Sequence, residues 1–133
     1  MAFQFSTAAR NAWLDQIETT IGTGPTLTIR TGTVPANCAA ARSGTVLATL
    51  VLPLDWMLAA SGGVKQLSGT WEDATADNTG TAGHFSLDQA GTCHIQGSIT
   101  ATGGGGDMTI DNTSIAAGQQ VTVTAFNLTA GGA

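Results

Sequence analysis

His84-Phe-Ser-Leu-Asp-Gln-Ala-Gly-Thr-Cys-His-Ile-Gln-Gly-Ser-Ile99 is the stretch whose reading decides the fold. Phe85 and Leu87 share one parity, as do Cys93, Ile95 and Ile99, and Asp88-Gln-Ala-Gly91 between them is a four-residue turn ending in glycine. Period-two alternation on both sides of such a turn specifies a β-hairpin. His84, Ser86, His94 and Gln96 take the opposite parity and are expected on the outer face.

Outward from this hairpin the same pattern recurs. Leu27 and Ile29 alternate with Thr26, Thr28 and Arg30, residues 45–52 are apolar on both parities, and residues 64–71 and 82–87 read as strands. Met108 and Ile110 alternate with Asp107, Thr109 and Asp111. In residues 119–129, Val121, Val123 and Ala125 hold one parity while Phe126 and Leu128 hold the other, which predicts a β-bulge near Ala125 and Phe126. Residues 31–43 form a long loop with a helical turn near residues 39–42, 72–80 an acidic turn-rich loop, and 103–106 a glycine turn. About eight short strands with turn signals about every ten residues specify a mainly β chain, an antiparallel β-sandwich or jelly roll.

The exception is the N-terminus. Ser6 is a candidate N-cap, and Ala9, Trp13, Ile17 and Ile21 recur every four residues alongside Leu14, with Gly22 and Gly24-Pro25 as the stop. The spacing predicts one helix over 6–21 with that stripe on the core and with Asn11, Asp15 and Glu18 on the opposite, polar face. Residues 1–5 are an arm, and 6–133 form a single domain. At 133 residues the chain has the length for one core.

Ala, Thr and Gly supply close to half of the residues, Tyr is absent, and charged residues are 10%. Four cations against nine anions give a net charge of -5, with a pI near 4.5. Phosphate backbones reward clustered Lys and Arg, so a nucleic-acid partner is not expected. The apolar run 46–60 is interrupted at Thr49, Pro53 and Asp55 and is too short to span a bilayer, so no membrane partner is expected either. No basic, apolar leader opens the sequence, and the mature chain is expected to start where the sequence does. Cys38 and Cys93 are expected to be free, small, buried or half-buried residues.

Chemistry is sparse. His84 and His94 lie on one hairpin without a third ligand at metal spacing. The segment Glu72-Asp-Ala-Thr-Ala-Asp-Asn lacks the ligand pattern of a calcium loop, residues 103–106 lack the Lys-Ser or Lys-Thr of a phosphate loop, and no serine sits in a nucleophile elbow. The expectation is no enzyme and no cofactor. Trp13, Trp56 and Trp71 each read first as core. The candidate partner-binding residues are Phe3 and Phe5 on the arm, Trp56 as an aromatic anchor, and Glu72, Asp73 and Asp77 on the acidic loop.

Five segments carry a resemblance: Leu27-Thr-Ile-Arg-Thr-Gly-Thr-Val-Pro35, Gly44-Thr-Val-Leu-Ala-Thr-Leu50, Thr79-Gly-Thr-Ala-Gly-His-Phe85, Gly97-Ser-Ile-Thr-Ala-Thr-Gly-Gly-Gly-Gly-Asp-Met108 and Gly118-Gln-Gln-Val-Thr-Val-Thr124. Together the chain resembles small tailed-bacteriophage virion proteins of the jelly-roll capsid decoration or cementing type. The resemblance implies a location on the virion head after synthesis in the bacterial cytoplasm, with the major capsid protein and further copies of the chain, as dimer or trimer, as partners. Its motifs are turns and strands, and they carry no site residues. A tail-fibre or head-fibre module binding a receptor or glycan through Trp56 or Trp71 is the alternative, followed by a tail or neck structural protein.

Overall fold

The computed structural model describes residues 3–132; Met1 and Ala2 of the arm and the final Ala133 lie outside the described residues. It contains α1 (Thr7–Ile21) and strands β1 (Thr26–Arg30), β2 (Val46–Val51), β3 (Val64–Gln66), β4 (Glu72–Asp73), β5 (Gly80–Thr81), β6 (His84–Gln89), β7 (Thr92–Ala101), β8 (Met108–Ile110), β9 (Ser114–Ile115) and β10 (Val121–Thr129). The fold is mainly β, as the alternation specified. One curled sheet runs β2-β1-β6-β7-β8-β10-β3, with β4 also pairing β10, while β5 and β9 form a separate ribbon. All pairings are antiparallel except β7 with β8. That parallel pair follows from the glycine-rich turn 103–106, which carries the chain back so that β8 leaves in the direction of β7.

The hairpin forms with a tighter turn than the sequence suggests. Gln89 pairs with Thr92, leaving Ala90 and Gly91 as a two-residue loop with φ of 51° and 82°. Positive φ at both positions matches the twist of the flanking strands. The extra residue is absorbed by a bulge between Leu87 and Asp88. In β10 the register with β8 shifts between Val123 and Ala125, so Val121, Val123 and Phe126 are all buried. This is the bulge that the parity change requires.

Inside the curl lies one core, in which Leu27, Ile29, Leu47, Leu50, Trp56, Trp71, Phe85, Leu87, Ile110 and Phe126 are essentially inaccessible. Trp71 lies 6.0 Å from Trp56 and 5.1 Å from Phe126, ring centre to ring centre, and Phe126 meets Phe85 edge-on at 5.7 Å. Such tilted and edge-on geometries are those aromatic quadrupoles favour.

α1 is capped as expected: the Ser6 hydroxyl accepts from Ala9 N–H at 3.1 Å, and Gly22, at φ 94°, closes the C-terminus. Its orientation differs from the expected one. Leu14 and Ile21 are buried and Ile17 packs against the core, but Ala9 and Trp13 face outward. The polar face is the one fastened to the hairpin around β3. Asn11 Oδ1 accepts from Gly63 N–H, Asp15 Oδ1 from Ala60 N–H, and the Lys65 ammonium reaches Asp15 at 2.7 Å and Glu18 at 2.8 Å. Lys65 is 1% exposed and also donates to Leu58 O, so the chain's single lysine is a buried cross-link. Periodicity located the helix; charge pairing rotated it.

Burial pulls the Lys65 ammonium down, but its hydrogen bonds and attraction to Asp15 and Glu18 outweigh that and hold it above its ordinary value. The Lys65 hydrogen bond, aided by the Ala60 N–H, holds the Asp15 carboxyl below its ordinary value. A depressed carboxyl contributes stability above its unfolded pKa and loses it as pH falls through the folded one; a raised lysine contributes below the usual lysine range and loses it above the folded pKa. Asp15 is half exposed, so solvent screens the pair. Lys65→Met is expected to cost about 1–3 kcal/mol at neutral pH. Thermal unfolding of both proteins at pH 7 and near pH 2 checks this: the gap is expected to shrink in acid, and a pH-independent gap contradicts the pair's role.

Candidate interaction surfaces

The residues able to do chemistry are dispersed. Among the described residues no three His, Cys, Asp or Glu side chains gather as metal ligands. His84 and His94 do not oppose each other: His84 pairs with Ser98, and His94 is the unmatched residue of the β7 bulge. Nor is the outer parity of β6 solvated as expected. His84 and Ser86 are buried, with His84 Nδ1 3.2 Å from Gly32 O.

The cover over that face is the long loop 31–45. Gln96 Nε2 donates to Pro35 O at 2.7 Å, and the Arg42 guanidinium reaches Gln96 Oε1, Cys38 O and Ala40 O, each at 3.2 Å. A Cβ on Gly83 would meet Gly32 O at 2.0 Å, so only glycine lets the loop backbone descend this far. Within the loop, Asn37 Oδ1 caps a single turn through Ala39 and Ala40 N–H. The loop is also covalently pinned: Cys38 and Cys93, separated by 55 positions in sequence, form a disulfide with Cα atoms 5.3 Å apart. This corrects the expectation of two free thiols. The signal was weak because a domain of this length does not need a cross-link for its core; the bond serves a covering loop instead.

Trp56 is not a surface anchor. It is fully buried, its Nε1 donating to Gly22 O at 2.9 Å, and Trp71 Nε1 donates to Trp56 O and Ser68 O. The tryptophan that does reach solvent is Trp13, expected in the core but 49% exposed. It stacks at 4.6 Å on Phe5, whose N–H donates to Gly132 O, and Phe3 beyond is 76% exposed. Phe3 and Phe5 are therefore on the surface, as their place on the arm suggests.

The acidic loop turns back onto the sheet. Asp73 pairs through its backbone with Val121 of β10, while its carboxylate accepts from Thr49 N–H of β2 at 3.0 Å. Asp77 N–H donates to Leu47 O at 2.8 Å, its carboxylate accepts from the Thr49 hydroxyl, and the Asn78 amide donates to Val46 O. Residues 73–78 thus satisfy the outer edge of β2. Glu72 and Asp77 remain exposed and Asp73 partly so.

Sequence reading passed over the segment leaving β2. Val51 and Leu54 are each 75% exposed and Leu58 50% exposed, while Leu52, Trp56 and Met57 between them are buried. Val51 shares the outward parity of Thr49, whose N–H and hydroxyl meet the Asp73 and Asp77 carboxylates, and exposed Asp55 follows. Three large apolar side chains in eight residues were legible as hydrophobic but not as outward-facing. No family model matches the chain, and comparison with curated proteins and solved structures yields no significant match.

The disulfide closes a long loop of the unfolded chain, and its loss is expected to cost about 2–4 kcal/mol. Cys38→Ser with Cys93→Ser, or reductant, should lower the melting temperature and open residues 31–45 to proteolysis ahead of the core. Intact mass should fall two hydrogens below that of the reduced chain; an unchanged mass and melting point would refute the cross-link.

Proposed function

We propose that this chain is a bacteriophage capsid decoration protein, which docks on the outer surface of the expanded head and bridges neighbouring major capsid subunits. The observation that carries the reading is the segment 51–58, where Val51, Leu54 and Leu58 are held in solvent with exposed Asp55 among them. Several large apolar side chains held in solvent within one short segment are a pattern of protein-binding surfaces. The turn-and-strand segments resembling phage head proteins support the same reading and supply the partner.

The mechanism is clamping, without a chemical step. A stable contact of standard size buries about 1,200–2,000 Å², and a scaffold contributing it must not deform under the load. The Cys38–Cys93 bond, the covered β2 edge and the Lys65 cross-link all oppose deformation. The acidic side chains steer the protein toward basic capsid residues. A glycan-binding role through Trp56 or Trp71 lacks its aromatic platform, because both are buried.

Cosedimentation of the purified protein with expanded, undecorated heads, with unexpanded procapsids and with tails tests the reading. Saturable binding to expanded heads at a fixed ratio to capsid protein is expected, weakening with salt. Leu54→Asp should reduce affinity at least about tenfold without altering the melting temperature, since Leu54 is exposed. Full-strength binding by this variant would remove the segment from the interface, and retention on tails alone would overturn the head assignment.

A further inference from the structure

β8 is only three residues long, whereas its neighbours are ten and nine. It pairs with Ile99–Ala101 residues of β7 and with Val123, Ala125 and Phe126 of β10. Below it the two long strands continue with no strand between them. On β7, Ser98 N–H faces the gap and is met by the Asp107 carboxylate at 2.9 Å, while Ile99 N–H points the other way, to Gly83 O. By alternation the main-chain groups of Gln96 also face the gap. On β10, Ala130 N–H points toward β3, to Gly63 O, so those of Asn127 and Thr129 face the gap from the opposite side.

β7 and β10 are each one strand from β8, so the gap is two strand spacings wide, about 9.6 Å, which is room for one strand. It is a depression of about 450 Å³ with Asp107 at its upper end; half-buried Ile95 and Leu128 are its accessible apolar side chains, above the buried Phe85 and Phe126. Because β7 and β10 run antiparallel to each other, a strand inserted in either direction is antiparallel to one wall and parallel to the other. The site is therefore a slot for an extended peptide, uncharged and apolar at alternate positions, which binds by adding a strand.

One segment of this chain has that pattern in its sequence, and its described residues, Phe3 to Phe5, are exposed. Met1-Ala-Phe-Gln-Phe5 places large apolar side chains at positions 1, 3 and 5 with Ala2 and Gln4 between, and has no charged side chain and no proline. Five extended residues reach about 17 Å, enough to run along the three open residues of β10. In its own molecule the arm is held elsewhere, since Phe5 is bonded to Gly132 and stacked on Trp13, and neither Phe3 nor Phe5 lines the slot. We infer that the slot between β7 and β10 receives the N-terminal arm of a second copy of this chain, linking copies into a closed homo-oligomer by strand exchange. This inference stands apart from the capsid reading and needs only the purified protein.

The test is sedimentation equilibrium of the wild type, of Phe3→Asp and of Thr129→Pro, at concentrations from about 1 to 100 µM. Thr129→Pro removes an N–H that faces the slot and leaves the β3 pairing intact. The wild type is expected to self-associate, and each variant to weaken association at least about tenfold while keeping wild-type circular dichroism. Should Thr129→Pro fail to fold, a synthetic peptide of residues 1–6 is the second measurement, expected to dissociate the wild-type oligomer. A monomeric wild type at the highest concentration overturns the inference. So does association unaffected by Phe3→Asp, which removes the arm from the contact, or association that resists both Thr129→Pro and the peptide, which removes the slot.

Discussion

A sheet that curls without closing leaves raw backbone at its two ends, and the way β2 is treated governs the rest of the molecule. Unpaired N–H and C=O groups along an edge recruit other strands or lose hydrogen bonds on burial. Here β4 pairs by its backbone with β10, while its Asp73 carboxylate, together with Asp77 and Asn78, occupies the outer edge of β2. The β2 end of the sheet is thereby tied to the β4 segment on β10 by side chains and the Asp77 N–H rather than by a ladder of strand pairs. Trp71 lies immediately before this junction and can be fully enclosed because the curl is shut above it.

The mainly β class, the hairpin, the helix caps and the β10 bulge were legible, because each rests on local parity or on a residue with one conformational role. Phe126 had to return to the core side, and only a bulge allows that. What escaped were features decided by partners distant in sequence. The Ala90-Gly91 turn was hidden because alanine rarely takes positive φ, whereas Asn-Gly at the same place would have announced it. The rotation of α1 was hidden because an apolar stripe containing Trp13 outweighs, on paper, the three polar residues that find Lys65, Ala60 and Gly63 some fifty residues away.

The candidate surfaces divide along the same line. Phe3 and Phe5 on the arm, and Glu72 and Asp77 on the loop, are exposed as their local sequence suggested, but Trp56 is not, and Asp73 serves the fold first. Aromatic size cannot distinguish a surface anchor from a core residue; a hydrogen-bond partner for the indole can, and Gly22 O supplies one inside. The disulfide was hidden for a comparable reason. Cys93 is partly exposed at a bulge, and Cys38 comes to it only because Arg42, Gln96 and Pro35 lay the loop across β6 and β7.

Composition explains how so few charges can hold so many edges. Thr and Ser hydroxyls and the short carboxylates of Asp reach main-chain groups of the segments packed directly against them, as Thr31 does for Thr45 N–H, Thr100 for Gly106 N–H, Thr79 for Ala117 N–H and Asp107 for Ser98 N–H. Lysine and glutamate, longer and more strongly hydrated, give up more side-chain entropy in the same task. A chain rich in threonine can therefore terminate strands with its own side chains and remain uncharged on the outside. The slot between β7 and β10 breaks this pattern: Ser98 is met there by Asp107, while by strand alternation the main-chain groups of Gln96, Asn127 and Thr129 face the depression. In a molecule that covers β2 with such care, an edge left open on both walls is a place kept for a strand.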